Sequence, residues 1–303
     1  MRQEYIVQNP PSDELSENNV NLDDKPLVSF CIPTLNDAST IRKCLSRIKS
    51  QTYDNLEIVI VDGGSSDGTV EIAREFTDDI YFDDAPLGGA REKSIEESDG
   101  SILALFDADV YIPDEYWLQR NLNYFNYSNI VSTVWPKAIA PPGSSNIAQL
   151  YSDHSQAIFQ HRISDGSAVV GGGNSLFLRS AVQDVGGFNE NVHWGEDFEL
   201  GIKLKDAGYQ VVQVDSVLYH DTMRTWQEFL STQITGSRSF SDSGFENFGI
   251  STVDILYEQY VVGIRQMFVN VIQGNSCWIF FPPYIIIKSL IYAHTFLSDI
   301  TTK

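Results

Sequence analysis

Asp107 and Asp109 are the residues of this chain whose type and spacing most clearly indicate chemistry. They directly follow a wholly apolar run, residues 102–106, which is typical of a buried parallel strand. Ligands of open α/β sheets bind beyond the carboxyl ends of the strands. Two carboxylates two residues apart are hard oxygen ligands, suited to Mg²⁺ or Mn²⁺ shared with a diphosphate. The pair therefore predicts a metal site at this strand end, with a capping role for one Asp as the alternative.

The turn from Asp62 to Thr69 is the second candidate site. It joins an apolar run over 56–61 to a predicted helix. Its glycines let a ligand approach the backbone closely, and its amides and hydroxyls can bind a ribose or a diphosphate at the helix N-terminus. A tight turn capped by Asp67 explains the second half of the motif. It does not explain Asp62 at the strand end, so we expect Asp62 to contact a ligand.

The same turn also fits a serine nucleophile. Residues 64–68 match the pattern G-x-S-x-G, with Ser66 in the nucleophile position and His220 far downstream. The chain has no HGGG-type oxyanion segment, and the elbow would follow only the second strand, which weakens a serine hydrolase interpretation. His220 could instead bind a metal or a phosphate, or be purely structural.

Two later segments carry further candidate groups. Residues 171–173 are three glycines before Asn174, and they allow either a bent backbone against a bulky ligand or a flexible turn. Glu196 and Asp197 begin a predicted helix shortly after Trp194. Carboxylates there can be ordinary partners of the helix dipole, or a general base that acts on a sugar hydroxyl.

Composition narrows the class of protein. The chain has 303 residues, 42% of them hydrophobic, which is enough for one large α/β domain or two smaller ones. A net charge of −21 argues against a nucleic-acid partner, which needs a basic surface. It indicates a solvated acidic surface, or adaptation to salt. Three widely spaced cysteines favour a reducing compartment, and residues 1–26 are polar and acidic without a signal-peptide pattern.

Apolar runs and helical patterns alternate along the first 110 residues. The predicted strands lie at 27–32, 56–61, 80–82 and 102–106, with predicted helices at 38–50, 67–76 and 89–97. This alternation predicts a parallel, doubly wound sheet with right-handed crossovers. Beyond it the pattern is mixed. We expect helices at 114–125, 146–160 and 196–207, strands at 130–134, 175–178 and 210–214, and a largely helical tail.

The segment from Cys277 to Leu297 is strongly apolar. Pro282 and Pro283 break it, and Lys288 and His294 interrupt it. A helix that spans a bilayer needs about 20 apolar residues without a central charge. Three interpretations stay open: a spanning helix, a helix docked on a membrane surface, and a buried helix.

Four motifs together resemble the family 2 glycosyltransferases with a GT-A fold. They are Leu27–Asn36, Val61–Thr69, Asp107–Asp109 and Gly195–Asp197, in the order and spacing of that family. The resemblance covers about residues 27–225. It implies an α/β fold, with a GT-A type doubly wound, mostly parallel sheet and a helical C-terminal tail. It also implies an inverting enzyme that moves one sugar from a nucleoside-diphosphate sugar to an acceptor hydroxyl.

The resemblance implies roles for individual residues as well. Donor binding falls to Pro33, Thr34, Asn36, Asp62, Arg91 and Asp107; acceptor binding to Gly172, Gly173, Asn174, Trp194 and Glu196; metal binding to Asp109 and His220; and the catalytic base to Asp197. The implied cofactor is Mn²⁺ or Mg²⁺, and the implied donor is of the UDP or GDP type. The acceptor could be a glycan, a lipid-linked sugar or a polyprenyl phosphate.

The chain departs from the family pattern at two points. Many members carry two adjacent acidic residues where this chain has Asp62 and Gly63, so only Asp62 matches. No Gln-x-x-Arg-Trp motif follows Asp197, and the nearest segment is Gln233–Arg238. The second departure argues against a processive polysaccharide synthase and favours transfer of a single sugar.

The expected organisation follows from the resemblance. We expect a flexible arm over 1–26, a nucleotide-sugar-binding half over 27–135, an acceptor-binding half over 136–225 and a helical extension over 226–303. A cytoplasmic protein is expected, with peripheral association at the cytoplasmic face of the cell membrane. A non-catalytic protein that binds sugar nucleotides is the remaining alternative.

Overall fold

The structure is a computed structural model, and it describes residues 25–127, 131–164, 170–192, 195–243 and 257–302. The chain divides into two compact units. Unit 1 comprises Met1–Ala138 with Ala168–His220, and unit 2 comprises Ile139–Ser167 with Asp221–Lys303. The predicted arm lies almost wholly outside the described residues. This division does not test the assignment of donor-binding and acceptor-binding halves, which stays a prediction.

One eight-stranded sheet organises unit 1, in the order β3-β2-β1-β4-β7-β6-β8-β5. The strands are β1 Val28–Thr34, β2 Leu56–Asp62, β3 Ile80–Phe82, β4 Ile102–Phe106, β5 Val110–Tyr111, β6 Val131–Ile139, β7 Asn174–Leu178 and β8 Gln210–His220. The first four form the parallel part, and every residue of β1 and β4 is buried. The predicted α/β fold is thus confirmed.

The helices follow the periodicity of the sequence. They are α1 Ile41–Lys49, α2 Thr69–Ala73, α3 Leu87–Glu96, α4 Trp117–Leu122, α5 Asn146–Ser164, α6 Arg179–Asp184, α7 Glu196–Asp206, α8 Trp226–Ser243, α9 Gly263–Ile272 and α10 Phe281–Thr302. Short 3₁₀ helices occupy Asn123–Tyr127 and Ser276–Phe280, and a π-helical turn occupies Tyr257–Val262. In α1, for example, the apolar side chains that recur every three or four residues are the buried ones.

The sheet departs from a purely parallel arrangement at β7. This strand runs antiparallel to β4, with Asn174 opposite Phe106, and β6 runs antiparallel to β7. The start of β7 therefore lies at the same edge as the end of β4. The apolar pattern of these strands predicts burial but carries no information on direction, so the alternation along the chain could not reveal this reversal. Its consequence is that the glycines before β7 lie beside the carboxylates after β4.

Unit 2 is helical in the parts that the structure describes, as expected for the tail. Its core gathers aromatic side chains from α8, the second 3₁₀ helix and α10, including Phe229, Trp278, Phe281 and Tyr284. His154 of α5 lies among them, with its ring edge-on to Phe281 at 5.2 Å between ring centroids. Burial lowers the pKa of His154 to about 3, so it is neutral at any physiological pH.

Phe106 anchors the end of β4 and holds the position of the carboxylate that follows it. Its ring is fully buried and meets Phe30 and Trp117 edge-to-face, at 5.2 and 5.9 Å between centroids. We expect Phe106→Ala to lower the free energy of unfolding by about 3–5 kcal/mol, because it leaves a cavity in a close-packed core. Phe82→Ala is the matched control, since that ring is 62% exposed and its loss should change stability by about 0.5 kcal/mol or less. Urea unfolding of both variants checks this, and equal losses would contradict the assignment.

Candidate active site

The carboxyl ends of β1 and β2 form the first part of the site. Thr34 and Asp62 end these strands directly opposite each other. Asp62 is fully buried, and its Oδ1 accepts the backbone N–H groups of Gly64 and Ser65 at 2.9 and 2.8 Å. Its Oδ2 is buried and has no hydrogen-bond partner among the described residues. A buried carboxylate oxygen without a partner is costly, so it fits an N–H or O–H donor from a ligand.

The loop after β1 is tied to the turn after β2. Asn36 adopts a left-handed φ of 58°, a conformation that Asn tolerates better than most residues. Its side-chain oxygen accepts the backbone N–H of Ser66 at 3.0 Å, and its own N–H donates to Ser65 Oγ at 2.7 Å. Pro33 pairs with Val61 within the sheet. The donor-binding residues predicted from both segments are therefore brought together at one edge.

Asp37 was missed by the sequence analysis. Its carboxylate accepts the Thr34 hydroxyl and the Leu35 N–H, both at 2.9 Å. Burial raises its pKa, and the negative charges of Asp109 and Asp107 add to the shift. The signal that could have found it was a third carboxylate just beyond a strand end. It is a structural brace of the loop that also adds negative charge to the site.

Arg91 connects the end of β4 with the start of α7. Its side chain is 2% exposed, its Nη2 donates to Asp107 Oδ1 at 2.9 Å, and its Nε donates to Glu196 Oε1 at 3.1 Å. Burial alone would lower the pKa of Arg91, but the two carboxylates outweigh burial and raise it. Its Nη1 is buried without a partner among the described residues. One permanent cation thus fixes two carboxylates from segments far apart in the sequence.

The glycines before β7 allow this close approach. A Cβ at Gly173 would overlap the Asp107 carboxylate, and a Cβ at Gly172 would lie 2.9 Å from the Cβ of Asp197. The Asp107 N–H donates to the Gly173 carbonyl at 2.9 Å. Asn174 turns instead toward the backbone, where its Nδ2 donates to the Pro136 carbonyl at 3.1 Å. Gly172 and Gly173 therefore border the carboxylates, and the predicted acceptor contact of Asn174 stays a prediction.

Glu196 and Asp197 are an adjacent pair of carboxyl groups with raised pKa values. Burial, reinforced by the neighbouring Asp197 charge, raises the pKa of Glu196 to about 7. Burial also raises the pKa of Asp197, although the Gly172 N–H, at 3.1 Å from its Oδ2, opposes the shift. A carboxyl pair of this kind holds a proton more readily than an ordinary exposed one, which suits general-base work near neutral pH.

Asp107, Asp109 and His220 form a group that could hold a metal. One ligand atom from each lies within 4.8 Å of the others. His220 Nε2 is 3.3 Å from Asp109 Oδ2, because Val110 of β5 pairs with His220 at the end of β8. Two carboxylate oxygens and an imidazole nitrogen suit Mn²⁺ or Mg²⁺. Arg91 pairs with Asp107 in this group, and a divalent cation would further offset the negative charge of the two carboxylates.

Trp194 and Ser66 are two further residues that the sequence predicts for a site. Trp194 lies outside the described residues, so its predicted acceptor contact stays a prediction. Ser66, the nucleophile of the hydrolase interpretation, has Asn36 as its side-chain partner at 3.4 Å, whereas His220 pairs with Asp109. This arrangement does not favour a serine hydrolase.

Comparison with known proteins agrees with this geometry. The family model described as Glycosyl transferase family 2 matches residues 29–186, and that of Glycosyl transferase family group 2 matches residues 143–297. Glycosyltransferase AglE of Haloferax volcanii is 33% identical over 218 residues, which cover 69% of this chain and 71% of AglE.

Two solved structures share the fold. The mannosyltransferase PcManGT of Pyrobaculum calidifontis, in complex with GDP-Man and Mn²⁺, aligns with a TM-score of 0.59 at 16% identity, over 89% of this chain and 87% of that one. S. aureus TarS 1-349, in complex with UDP-GlcNAc, aligns with a TM-score of 0.52 at 13% identity, over 91% and 92%. At these identities the likeness shows the GT-A type fold alone.

Gly173→Ala tests whether the close approach shapes the metal group. The added methyl would force the Asp107 carboxylate to rotate away from Arg91, so we expect Mn²⁺ affinity to fall by about tenfold or more, the worth of one charged ligand contact. Gly236→Ala is the control, because a Cβ there meets only Tyr292 Oη at 3.5 Å. Water-proton relaxation measures Mn²⁺ binding by both variants. Unchanged affinity in Gly173→Ala would contradict this geometry.

Proposed function

This chain belongs to glycosyl transferase family 2, and from that premise we propose that it is an inverting, metal-dependent enzyme that transfers one sugar to an acceptor hydroxyl. The donor is a nucleoside-diphosphate sugar of the UDP or GDP type. The observation that carries the proposal is the placement of the metal-binding group beside the Arg91-linked carboxyl pair, at the carboxyl edge of the sheet. The solved relatives with GDP-Man and UDP-GlcNAc support the donor class.

Asp197 is the proposed catalytic base. Its carboxylate takes the proton of the acceptor hydroxyl as that oxygen attacks the anomeric carbon from the face opposite the diphosphate. The bond between the anomeric carbon and the diphosphate oxygen breaks, and the diphosphate departs with the electron pair. Attack from the opposite face inverts the anomeric configuration, through a transition state of oxocarbenium character. The raised pKa of Asp197 makes it a stronger base than an exposed carboxylate.

The donor site is assigned to the other carboxylates. Asp62 offers its unpartnered Oδ2 to an N–H or O–H of the nucleoside, with Pro33, Thr34 and Asn36 around it. Arg91 holds Asp107 in place for the ribose or the sugar. Asp109 and His220, with Asp107 beside them, would hold Mn²⁺ or Mg²⁺. When bound, such an ion supplies charge neutralisation for the departing diphosphate.

The acceptor is assigned to the side of the site that carries Asp197. Gly172 and Glu196 adjoin Asp197, and Gly173 adjoins Asp107, with Asn174 and Trp194 as further proposed contacts. A glycan, a lipid-linked sugar or a polyprenyl phosphate all present a nucleophilic oxygen. We place the enzyme in the cytoplasm, peripheral to the cytoplasmic face of the cell membrane, where lipid-linked acceptors are within reach.

A non-catalytic sugar-nucleotide-binding protein is the competing function. Such a protein needs the donor site but neither a base nor a buried cation that orients the base. Asp107, Asp109 and Asp197 are all present. Arg91 donates hydrogen bonds to Asp107 and to Glu196, the residue next to Asp197. This arrangement favours an enzyme.

The metal assignment predicts the effect of chelation and of a single substitution. EDTA should abolish sugar transfer, and Mn²⁺ or Mg²⁺ should restore it. Asp109→Ala should lose the metal-dependent turnover and keep the fold, because the carboxylate is half-buried rather than part of the core. Asp99→Ala, at an exposed position, is the matched control. Full turnover of the wild-type enzyme in EDTA would show that the assignment is wrong.

The base and the donor site can be separated by two substitutions. Asp197→Asn should lower turnover by about 10²–10⁴-fold, the usual contribution of a general base, with little change in the affinity for nucleoside diphosphate. Asp62→Ala should weaken nucleotide binding by about tenfold or more, as expected when a charged hydrogen bond is lost. The control is Asp206→Asn, at the exposed end of the same helix as Asp197.

Calorimetry with nucleoside diphosphate and Mn²⁺, beside turnover on a working donor, measures both effects. The donor is found by a thermal-shift screen of UDP- and GDP-sugars with Mn²⁺, since a bound donor stabilises the folded state. Near-normal turnover of Asp197→Asn would move the base to Glu196.

A further inference from the structure

Residues 257–272 of unit 2 present an apolar stripe to the outside. The segment consists of the π-helical turn and α9, and its exposed apolar side chains recur every three or four residues. They are Tyr257, Val261, Ile264, Phe268 and Ile272, here called the outer stripe. Phe268 is 61% exposed and Ile272 is 84% exposed. A surface helix in water normally shows the reverse arrangement, with its apolar stripe turned inward.

The inward side of the same segment carries polar and small groups. Glu258 is buried and receives Arg162 Nε and Nη2 at 2.9 and 2.7 Å. Gln259 accepts a hydrogen bond from Lys288 Nζ at 2.8 Å. Gly263 packs so closely on the Phe281 ring that a Cβ would overlap it. Tyr260 and Met267 of this segment also pack against the core of unit 2. The segment therefore meets that core with polar, small and apolar groups, and the outer stripe is left exposed on its other side.

The helical stretch that follows packs one of its sides into the core of unit 2. Ser276–Thr295 is the stretch of the described chain long and apolar enough to cross one, with a mean hydropathy of 1.3 and 28% of it buried. Trp278, Phe281 and Tyr284 turn one side of it into the core of unit 2. Ile286 and Leu290 lie on its exposed side. A helix that shares one side with a protein core and exposes the other fits an in-plane position at an interface.

The distribution of acidic residues along the chain also agrees with a position at a lipid interface. The chain carries 41 Asp and Glu residues, yet none lies between Glu258 and Asp299. The Lys and Arg residues in this interval are Arg265, which is exposed, and Lys288, whose pKa burial lowers to about 8. Carboxylates are disfavoured in contact with lipid, whereas a few cations near its surface are tolerated. Apolar insertion of this interval would therefore bring no carboxylate into lipid.

We propose that the outer stripe docks unit 2 onto a phospholipid bilayer, with residues 257–272 lying in the plane of the interface. The proposal deepens the peripheral location inferred above, and it does not depend on the transfer reaction. Binding comes from apolar insertion rather than from charge. The protein should therefore bind neutral phosphatidylcholine vesicles, and it should stay bound at high ionic strength, where electrostatic attraction is screened.

Vesicle flotation of the full-length chain tests the proposal. The wild-type protein should float with phosphatidylcholine vesicles at both low and high salt. The double variant Phe268→Glu/Ile272→Glu should show vesicle partitioning at least about tenfold lower, because it removes two of the largest inserting side chains. Both positions are exposed, so the variant should unfold at the wild-type temperature. Failure of the wild-type chain to float, or loss of floating at high salt, would overturn the proposal.

Phe82→Glu is the matched control, since this ring is 62% exposed but belongs to β3 of unit 1. It should float as the wild-type chain does. Equal loss in the control and in the double variant would show that any exposed Phe contributes, and it would overturn the assignment to the outer stripe. The other possible occupant of the stripe is a second copy of this chain, which light scattering without lipid detects. If the wild-type chain is a dimer, the double variant is a monomer and neither binds vesicles, the stripe belongs to a dimer interface and the proposal is overturned. Sugar transfer to a soluble acceptor is measured separately, so failure in flotation leaves the transferase proposal intact.

Discussion

The site depends on one buried cation. Arg91 is almost fully removed from water, a position that is costly for an ionised group unless its hydrogen bonds are met by charged partners. Asp107 and Glu196 meet them, one from the end of β4 and one from the start of α7. Because loss of either carboxylate would leave a buried charge without full compensation, the pair fixes the separation of the two segments. The metal-binding group and the carboxyl pair are therefore held at a set distance by one side chain.

The same arrangement brings several carboxylates close together. The negative charges of Asp107 and Asp109 add to the raised pKa of Asp37, and that of Asp107 adds to the raised pKa of Asp197. The fold holds the carboxylates together by burial and by glycines that admit no side chain, against their mutual repulsion. A site of this kind would stabilise a divalent cation together with the part of a ligand that brings further hydrogen-bond donors. The proposed preference for a metal-bound diphosphate would then follow from charge, without contacts specific to any sugar.

The positions of Asp62 and Asp107 could be predicted from the sequence, because each depends on a local pattern. Asp62 and Asp107 end apolar runs, and the carboxyl ends of parallel strands meet at one edge, so their proximity followed from alternation alone. The link from Arg91 to Glu196 spans 105 positions and depends on the antiparallel entry of β7, which no local pattern encodes. Asp37 was not predicted because its role in holding the loop depends on its partial burial, and the sequence of a polar loop does not show which of its residues are buried. The sequence left His220 open as a metal ligand, a phosphate ligand or a structural residue, and the resemblance favoured the metal; the pairing of β5 with β8 places it beside Asp109.

Unit 2 shows the limit of periodicity more sharply. A helical repeat of apolar residues defines a stripe, but it gives the width of that stripe and not the direction in which it points. In α1 the stripe points inward, as Ile41, Leu45 and Ile48 are all buried. In the π-helical turn and α9 the outer stripe points outward, because Glu258, Gly263 and Met267 occupy inward positions. The two helices differ in the residues between the apolar ones. Where those residues can pack against the core, the apolar stripe stays on the surface and can contact another apolar phase. The proposed solvent is lipid, and the absence of Asp and Glu between Glu258 and Asp299 agrees with this proposal, because carboxylates are hardest to solvate there.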